Sequence, residues 1–597
     1  MSGRKILSLV ICVLIAAVFF VLPTPHGLED NAWHFLGLFI AVILAVIFAI
    51  MPLGAICLIA ITIVAITGIT TPQSTLRQTQ IKTLTALADK VDIDKMELKK
   101  QILDAKILAL KNALRDLKIE INSQNEGENL LKELSTLHLK NTTKTANSKL
   151  LDGSEISVLN SIALNKFSQK EIDKKVKAAE WKLKAKTGIN DALSGFSNAL
   201  IWLIVISIIV AKGIIKTGLG ERLAYYFISI FGKKTLGIAY SITLSETILA
   251  PVTPSNTARA GAIINPIVQA ISKSFKSTPE DDTQNKIGTY LSLVNFQANP
   301  ISSAMFITAT APNPLVVDLV AKATNLDISI SWIQWALGMF VPGILAMMIM
   351  PLVIYFLSPP EIKSTPNARA FAKEKLAELG AMRRDEKIMF GVFLFLLILW
   401  AGTFGFLFGI TLNATTIAFL GLSVVFVTGV LSFDEILAQK AAWNTLVWFS
   451  ALVMMATMLG KLEVTTFLAS NLQQLALNLG LGEISIMLFL SVSFLYSHYF
   501  FASTTAHISA MFFVFYSAGL ALGAPPLLYA FIMITAGNVM MGITHYATGT
   551  APVIFGTNYV SLKKWWGIGF VMSVVNMVVM ILAGLVWWKV FRILLNL

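Results

Sequence analysis

From Trp332 to Leu357 the chain carries no Asp, Glu, Lys or Arg, and uncharged apolar runs of this kind recur along nearly its whole length. About 20 apolar residues in a helix cross a hydrocarbon layer of ~30 Å, and in lipid only helices or closed barrels satisfy every backbone N–H and C=O. The runs are continuous rather than alternating, so they read as helices, and the fold class that follows is an all-α polytopic membrane protein. Spans are expected at 6–23, 33–50, 54–70, 197–214, 330–357, 388–407, 412–430, 444–461 and 568–590. At 55% hydrophobic and 14% charged residues, the chain is too apolar for an ordinary soluble enzyme. Ile6 to Leu22 reads as a first transmembrane helix rather than a cleaved signal, because no small-residue cleavage site follows it.

The net charge of +13 does not point to nucleic acid. Outside one polar segment the basic residues sit in short loops: Lys212, Lys216, Arg222, Lys233 and Lys234; Lys373, Lys375, Arg383, Arg384 and Lys387; Lys563 and Lys564. That is the pattern of cytoplasmic loops, and it implies a cytoplasmic N-terminus. Cys12 and Cys57 both lie in apolar runs, so neither a disulfide framework nor a CxxC metal site is expected.

Residues 72–190 are polar and Lys-rich and contain no run long enough to span. Leu103, Ile107, Leu110, Leu114, Leu117 and Ile121 follow alternating steps of four and three, a heptad seam. A long amphipathic helix folded back on 127–140 and 167–186 is expected, as a soluble helical insert that span counting places on the periplasmic side.

The chain also resembles itself. Asn198-Ala-Leu-Ile-Trp202 matches Asn444-Thr-Leu-Val-Trp448, Ser255-Asn-Thr-Ala-Arg259 matches Ser503-Thr-Thr-Ala-His507, and Thr308-Ala-Thr-Ala-Pro312 matches Thr548-Gly-Thr-Ala-Pro552. The offsets, measured at Trp202/Trp448, Ser255/Ser503 and Pro312/Pro552, are 246, 248 and 240. The regions 236–323 and 485–556 are apolar yet interrupted by Pro, Gly, Ser, Thr and Asn, which suggests re-entrant hairpins and broken helices. Counted from the start of each repeat unit, near Trp33 and near Lys387, three spans precede the Ser/Thr hairpin, so the two units enter from opposite sides as inverted repeats, with about eleven transmembrane helices in all. The organisation expected is first transmembrane helices of a scaffold at 1–71, the insert at 72–190, the rest of the first repeat at 191–357 with its tip at 255–257, a cytoplasmic linker at 358–387, and the second repeat at 388–597 with its tip at 503–505.

Hydroxyl and amide side chains at a hairpin tip, with half-helix N-termini behind them, suit an anion. Ser255, Asn256, Thr257, Ser503, Thr504 and Thr505 can donate to carboxylate oxygens, Pro312 and Pro552 mark breaks where carbonyls are freed, and Thr310, Pro312, Thr548, Gly549, Thr550 and Pro552, with Asn313, are further candidates for binding the substrate. One such motif would only argue for close helix packing; two in inverted register argue for a site.

Ala250-Pro-Val-Thr-Pro-Ser-Asn-Thr-Ala-Arg-Ala-Gly261, Phe501-Ala-Ser-Thr-Thr-Ala-His507 and Gly542-Ile-Thr-His-Tyr-Ala-Thr-Gly-Thr-Ala-Pro552 resemble the divalent anion/sodium symporter family, and within it the bacterial citrate/succinate and tartrate/succinate antiporters and the plastid 2-oxoglutarate/malate translocators. The resemblance covers the chain outside 72–190. It implies a homodimer in the lipid bilayer of the inner membrane, or of the plastid envelope in a plant, in which a transport domain moves by an elevator motion and the Ser-Asn-Thr-type tips bind di- or tricarboxylates. Thr504 departs from the pattern, where Asn is common.

Arg259 and His507 hold equivalent places two residues past each triplet. Cations buried there are costly unless an anion compensates them, and the expectation is that they replace bound sodium, which makes the chain an obligatory, sodium-independent exchanger. His545 is expected near the site, and His498 in a structural role. Glu246 could carry a proton or pair with Arg259, and Asp318 could pair with Lys322. No organic cofactor or metal centre is expected. Two alternatives are kept: a sodium- or proton-coupled carboxylate symporter, in which sodium would bind, and a membrane-anchored sensor or assembly protein acting through the insert.

Overall fold

The computed structural model describes residues 3–48, 50–91, 94–117, 127–141, 144–324, 327–410, 412–464, 467 and 482–594. Among these the regular structure is helical, and the one bridge of strand type is the isolated antiparallel contact of Lys234 with Ser364. Six helical stretches are long and apolar enough to cross a membrane: Ala199–Thr217, Thr235–Val252, Trp332–Leu357, Lys440–Lys461, Thr504–Ala521 and Leu562–Val590. Shorter apolar helices include Lys5–Val21, Asp30–Val46, Leu53–Thr67, Ala414–Val427 and Pro526–Gly542.

The chain divides into two units. The first comprises Met1–Gly195 with Met454–Phe467, the second Phe196–Val453 with Leu468–Leu597. In the first, α1 (Gly3–Val21), α2 (Asp30–Ile47) and α3 (Leu53–Thr67) are followed by five polar helices: α4 (Gln73–Ala88), α5 (Lys95–Asp116), α6 (Glu128–Asn141), α7 (Lys144–Ala163) and α8 (Gln169–Leu193). The expected hairpin is therefore a bundle. α7, which no periodicity announces, is its centre and packs on α4, α5 and α6. Leu110 and Leu114 of the heptad seam are fully buried against Leu130 and Leu134, with Leu150 and Leu151 of α7 alongside. The seam stops sooner than its spacing implies, since α5 ends at Asp116, Leu117 is exposed, and Ile121 lies outside the described residues. α7 carries apolar side chains around its circumference because it has neighbours on several sides, and this erases the one-faced pattern that marks a surface helix.

α8 runs against α3 at a close crossing. A Cβ on Gly188 would lie 2.8 Å from the Val64 and Ala65 carbonyls, and Gly68, at φ +55°, ends α3 directly beneath Lys184. Both positions exclude a side chain, one for space and one also for backbone conformation.

In the second unit the basic clusters noted in the sequence are gathered together. Arg222 pairs with Glu386 and donates to Gly380 O, Thr235 N donates to Lys363 O, and Lys564 Nζ reaches Ser358 Oγ. The helix Gly288–Met305 is buried along its full length despite carrying Ser292, Asn295, Gln297, Asn299, Ser302 and Ser303. A helix that is polar and buried at once must place its donors and acceptors on partners, and those partners form the site.

Candidate functional site

Each hairpin breaks in the same way. In the first repeat Thr235–Leu249 runs into a 3-10 turn, Ala250–Val252, and the chain restarts as a π-helix, Thr257–Ile264. In the second, Glu483–Ser497 runs into the turn His498–Phe500 and restarts as Thr504–His507, which passes into a π-helix, Ile508–Phe512. Ser255 Oγ accepts from Ala258 N at 3.2 Å, and Ser503 Oγ accepts from Ala506 N at 3.3 Å. The two serines thus cap restarted helices identically, and that is the local reason for their type.

The second residues of the triplets converge on one segment. Asn256 Nδ2 donates to Thr548 Oγ1 at 2.8 Å, and Thr504 Oγ1 donates to the adjacent Ala547 O at 3.1 Å. A Cβ on Gly549 would stand 2.7 Å from Thr257 Oγ1. Ser255, Asn256, Thr257, Ser503 and Thr505 are half-buried, whereas Thr504 and Thr548 are buried. The structure therefore brings both tips, Thr548 and Gly549 into one cluster. Thr550 Oγ1 lies 3.5 Å from Asn299 Oδ1. Thr310 is buried and extended just before the helix Pro312–Ala323, which Pro312 opens, and Pro552 sits within Thr550–Phe555.

Arg259 is fully buried, and all five of its N–H groups are used. Nε donates to Glu246 Oε1 at 2.7 Å, one terminal nitrogen to Thr253 O (2.7 Å) and Ala309 O (2.9 Å), and the other to Ser302 and Ser303 Oγ (both 3.1 Å). Glu246 Oε1 also accepts from Asn299 Nδ2 at 2.7 Å, while Oε2 is buried without a hydrogen-bond partner. Arg259 is therefore no free cation. Glu246 pairs with it, and each of its N–H groups has a protein acceptor. Of the two roles considered for Glu246, the geometry is that of the partner.

His507 differs from its counterpart. By the offset relating Ser255 to Ser503, Glu246 corresponds to Phe494, whose ring stacks on His507 at 4.6 Å, and the Phe501 ring also stacks on it at 4.4 Å. His507 Nε2 contacts Ser497 Oγ at 2.9 Å, and its Nδ1 contacts Met540 Sδ at 3.0 Å and His498 Nδ1 at 3.1 Å. His498 thus belongs with His507 rather than to the background. His545 accepts from Trp566 Nε1 at 3.0 Å and lies amid Tyr546 and Phe555. Asn313 donates to Ser303 O and Phe306 O and accepts from Asn538 Nδ2, so it stitches the first break and has no N–H left over. Asp318 pairs with Lys322 at 2.5 Å.

Asn299, Ser302, Ser303 and Thr253 went unnoticed in the sequence. Ser292, Asn295, Asn299 and Ser302 follow steps of three, four and three, a polar helical stripe within an apolar region, and that signal points to two of the four, Asn299 and Ser302.

Paired broken hairpins whose hydroxyl and amide tips meet inside a helical membrane bundle define a multi-pass membrane transporter rather than an enzyme. The sequence model described as "Sodium:sulfate symporter transmembrane region" matches residues 3–92 and 155–594, and the chain belongs to this divalent anion/sodium symporter family. The described residues of the unmatched stretch, 93–154, lie in or next to α5, α6 and α7 of the first unit. The chain is 45% identical over 405 residues to the Bacillus subtilis (strain 168) protein YflS, covering 68% of this chain and 83% of that one. It is 44% identical over 398 residues to the chloroplastic Dicarboxylate transporter 1 of Spinacia oleracea (67% and 69% covered), and 34% identical over 397 residues to the inner membrane protein YbhI of Escherichia coli (strain K12) (66% and 81% covered). Neisseria gonorrhoeae MtrF, described with a class of antimetabolite efflux pumps, shares the fold at a TM-score of 0.50 and 11% identity, over 68% of this chain and 85% of that one.

Proposed function

We propose that this protein exchanges di- or tricarboxylates across the inner membrane without sodium, as a homodimer whose tip-bearing half moves by an elevator motion. The observation that carries this reading is the convergence of Asn256 and Thr504 on Thr548 and Ala547, which gathers short hydroxyl and amide side chains from both repeats around one short backbone segment. Such donors suit carboxylate oxygens, and a dicarboxylate transporter name among the relatives favours that chemistry. Ser255, Thr257, Ser503, Thr505 and Thr550 line the approaches in this reading.

Sodium independence rests on where Arg259 sits. Its guanidinium fills a cage of carbonyl and hydroxyl oxygens directly behind the first tip, from Thr253, Ala309, Ser302 and Ser303. Oxygen cages of this kind suit a hard cation, and here the place is taken by a covalently held one. Because Glu246 neutralises it, the exchange is not driven by an unpaired fixed charge; the guanidinium supplies the structural part of an ion's role.

Counterflow of labelled succinate into liposomes against unlabelled citrate, malate, tartrate and 2-oxoglutarate, with and without sodium, tests the reading. Exchange that is equal in both conditions and absent from empty liposomes is expected; uptake by empty liposomes that rises steeply with sodium would point to symport.

A further inference from the structure

Resting on the carboxylate reading above, we propose that His498 and His507 form a single proton-binding site that fills when the substrate anion binds, so that loading of the carrier is coupled to a proton.

The tautomers follow from the partners. His498 Nε2 faces Ala547 O at 2.8 Å, an acceptor only, so this nitrogen carries hydrogen. In neutral His498 the Nδ1 is then an acceptor, and the 3.1 Å contact to His507 Nδ1 requires His507 to donate. That leaves His507 Nε2 against Ser497 Oγ. The Ser497 hydroxyl donates to Phe494 O at 2.8 Å and touches His507 Nε2 at 2.9 Å, and it has one hydrogen for both. Neutral imidazoles and the hydroxyl together hold one hydrogen fewer than these contacts use. With His507 protonated at both nitrogens, these four contacts are filled as they stand: Ser497 to Phe494 O, His507 Nε2 to Ser497, His507 Nδ1 to His498, and His498 to Ala547 O, while Met540 Sδ, a weak acceptor, lies against the same His507 Nδ1 hydrogen.

The pair is built to accept a proton but lacks a resident anion to hold it. Both rings are fully buried, and among the described residues no carboxylate lies within ion-pair distance of either. Their neighbours are Phe494, Phe501, Ser497 and Met540. Titratable groups on the packing elements are engaged elsewhere: Tyr546 with Tyr499 O, Tyr496 with Ser573, His545 with Trp566, Tyr516 and Tyr529 with backbone carbonyls, and Asp318 with Lys322. A buried cation without a counterion is costly. The anion comes with the substrate, because Ala547 O, which holds His498, is the same oxygen that holds Thr504 of the second tip. A carboxylate at that tip lowers the cost of the proton, and by linkage the proton strengthens carboxylate binding by the same factor.

The test uses the full chain and malate, a probe ionised at both carboxyls above about pH 6. In weakly buffered detergent solution near neutral pH, malate addition is expected to take up a proton, up to about one per chain, and its apparent Kd to fall by up to about tenfold per unit of acidification across the neutral range. His498→Gln is expected to abolish the uptake and flatten the pH profile; Ser497→Ala, which removes the partner of His507 Nε2 together with the hydroxyl's bond to Phe494 O, is expected to move the profile to lower pH. A flat wild-type profile overturns the site, and so does an unaltered profile in either variant. Malate counterflow that is present at every pH but indifferent to it fails this proposal alone, whereas absence of dicarboxylate counterflow at any pH fails the carrier reading with it.

Discussion

Arg259 Nε donates to Glu246 Oε1 at 2.7 Å with both side chains wholly buried, and the stretch between these two residues, thirteen apart, contains the first hairpin tip. The pair ties the restarted helix back to the arm that leads into the break, so the tip is braced by its own ends. Removing one partner of a buried ion pair leaves the other charge stranded and costs roughly 3–5 kcal/mol, whereas replacing both by apolar groups of similar volume is often near neutral. Arg259→Met and Glu246→Gln are therefore each expected to lower the thermal midpoint in detergent sharply, and Arg259→Met with Glu246→Leu to recover much of the loss. A double variant whose loss equals the sum of the two single losses would show that the pairing is not what matters.

Asn256 and Thr548 join the two repeats through one hydrogen bond of 2.8 Å. Thr548→Val removes the acceptor while keeping the shape, and Asn256→Asp puts a negative charge where a carboxylate is proposed to bind. We expect Thr548→Val to weaken substrate affinity by a few-fold, in line with a net value of about 1 kcal/mol for such a bond, and Asn256→Asp to abolish carboxylate exchange without loss of the folded peak in gel filtration. Exchange by Asn256→Asp at the wild-type rate would exclude this tip from the binding site.

Gly549→Ala adds a methyl 2.7 Å from Thr257 Oγ1. Overpacking costs about 1–3 kcal/mol, here borne by the contact between a tip and the opposite break. Initial exchange rates are expected to fall about tenfold or more, with much less effect on the thermal midpoint than Arg259→Met.

The helical bundle of the first unit closes on its own apolar clusters, one around Leu159 and Ile162 and another around Leu110 and Leu134. If the carrier half is the working part, deleting about 75–188 and bridging the ends with a short flexible linker leaves carboxylate counterflow in place. Loss of counterflow with the remaining helices correctly assembled would favour the sensor reading, in which the bundle acts.

The apolar runs, the two Ser/Thr triplets and their near-constant offsets were legible because each depends on local order along the chain: length against bilayer thickness, breaker residues against helix continuity, and a repeat against itself. The bundle was read only in part, since α7 spreads its apolar residues over several contacts. What the sequence by itself determined is a helical membrane transporter with two equivalent broken hairpins and a cation, or a group able to become one, after each. Only the tertiary structure decided what those two positions are. Position 246 carries Glu opposite Arg259, and its counterpart 494 carries Phe against His507, so the same place in the repeat becomes a neutral ion pair in one half and an imidazole pair without a counterion in the other. That difference depends on which side chains packing brings into contact, and residues thirteen apart along an interrupted helix are brought together by the break, not by any helical period.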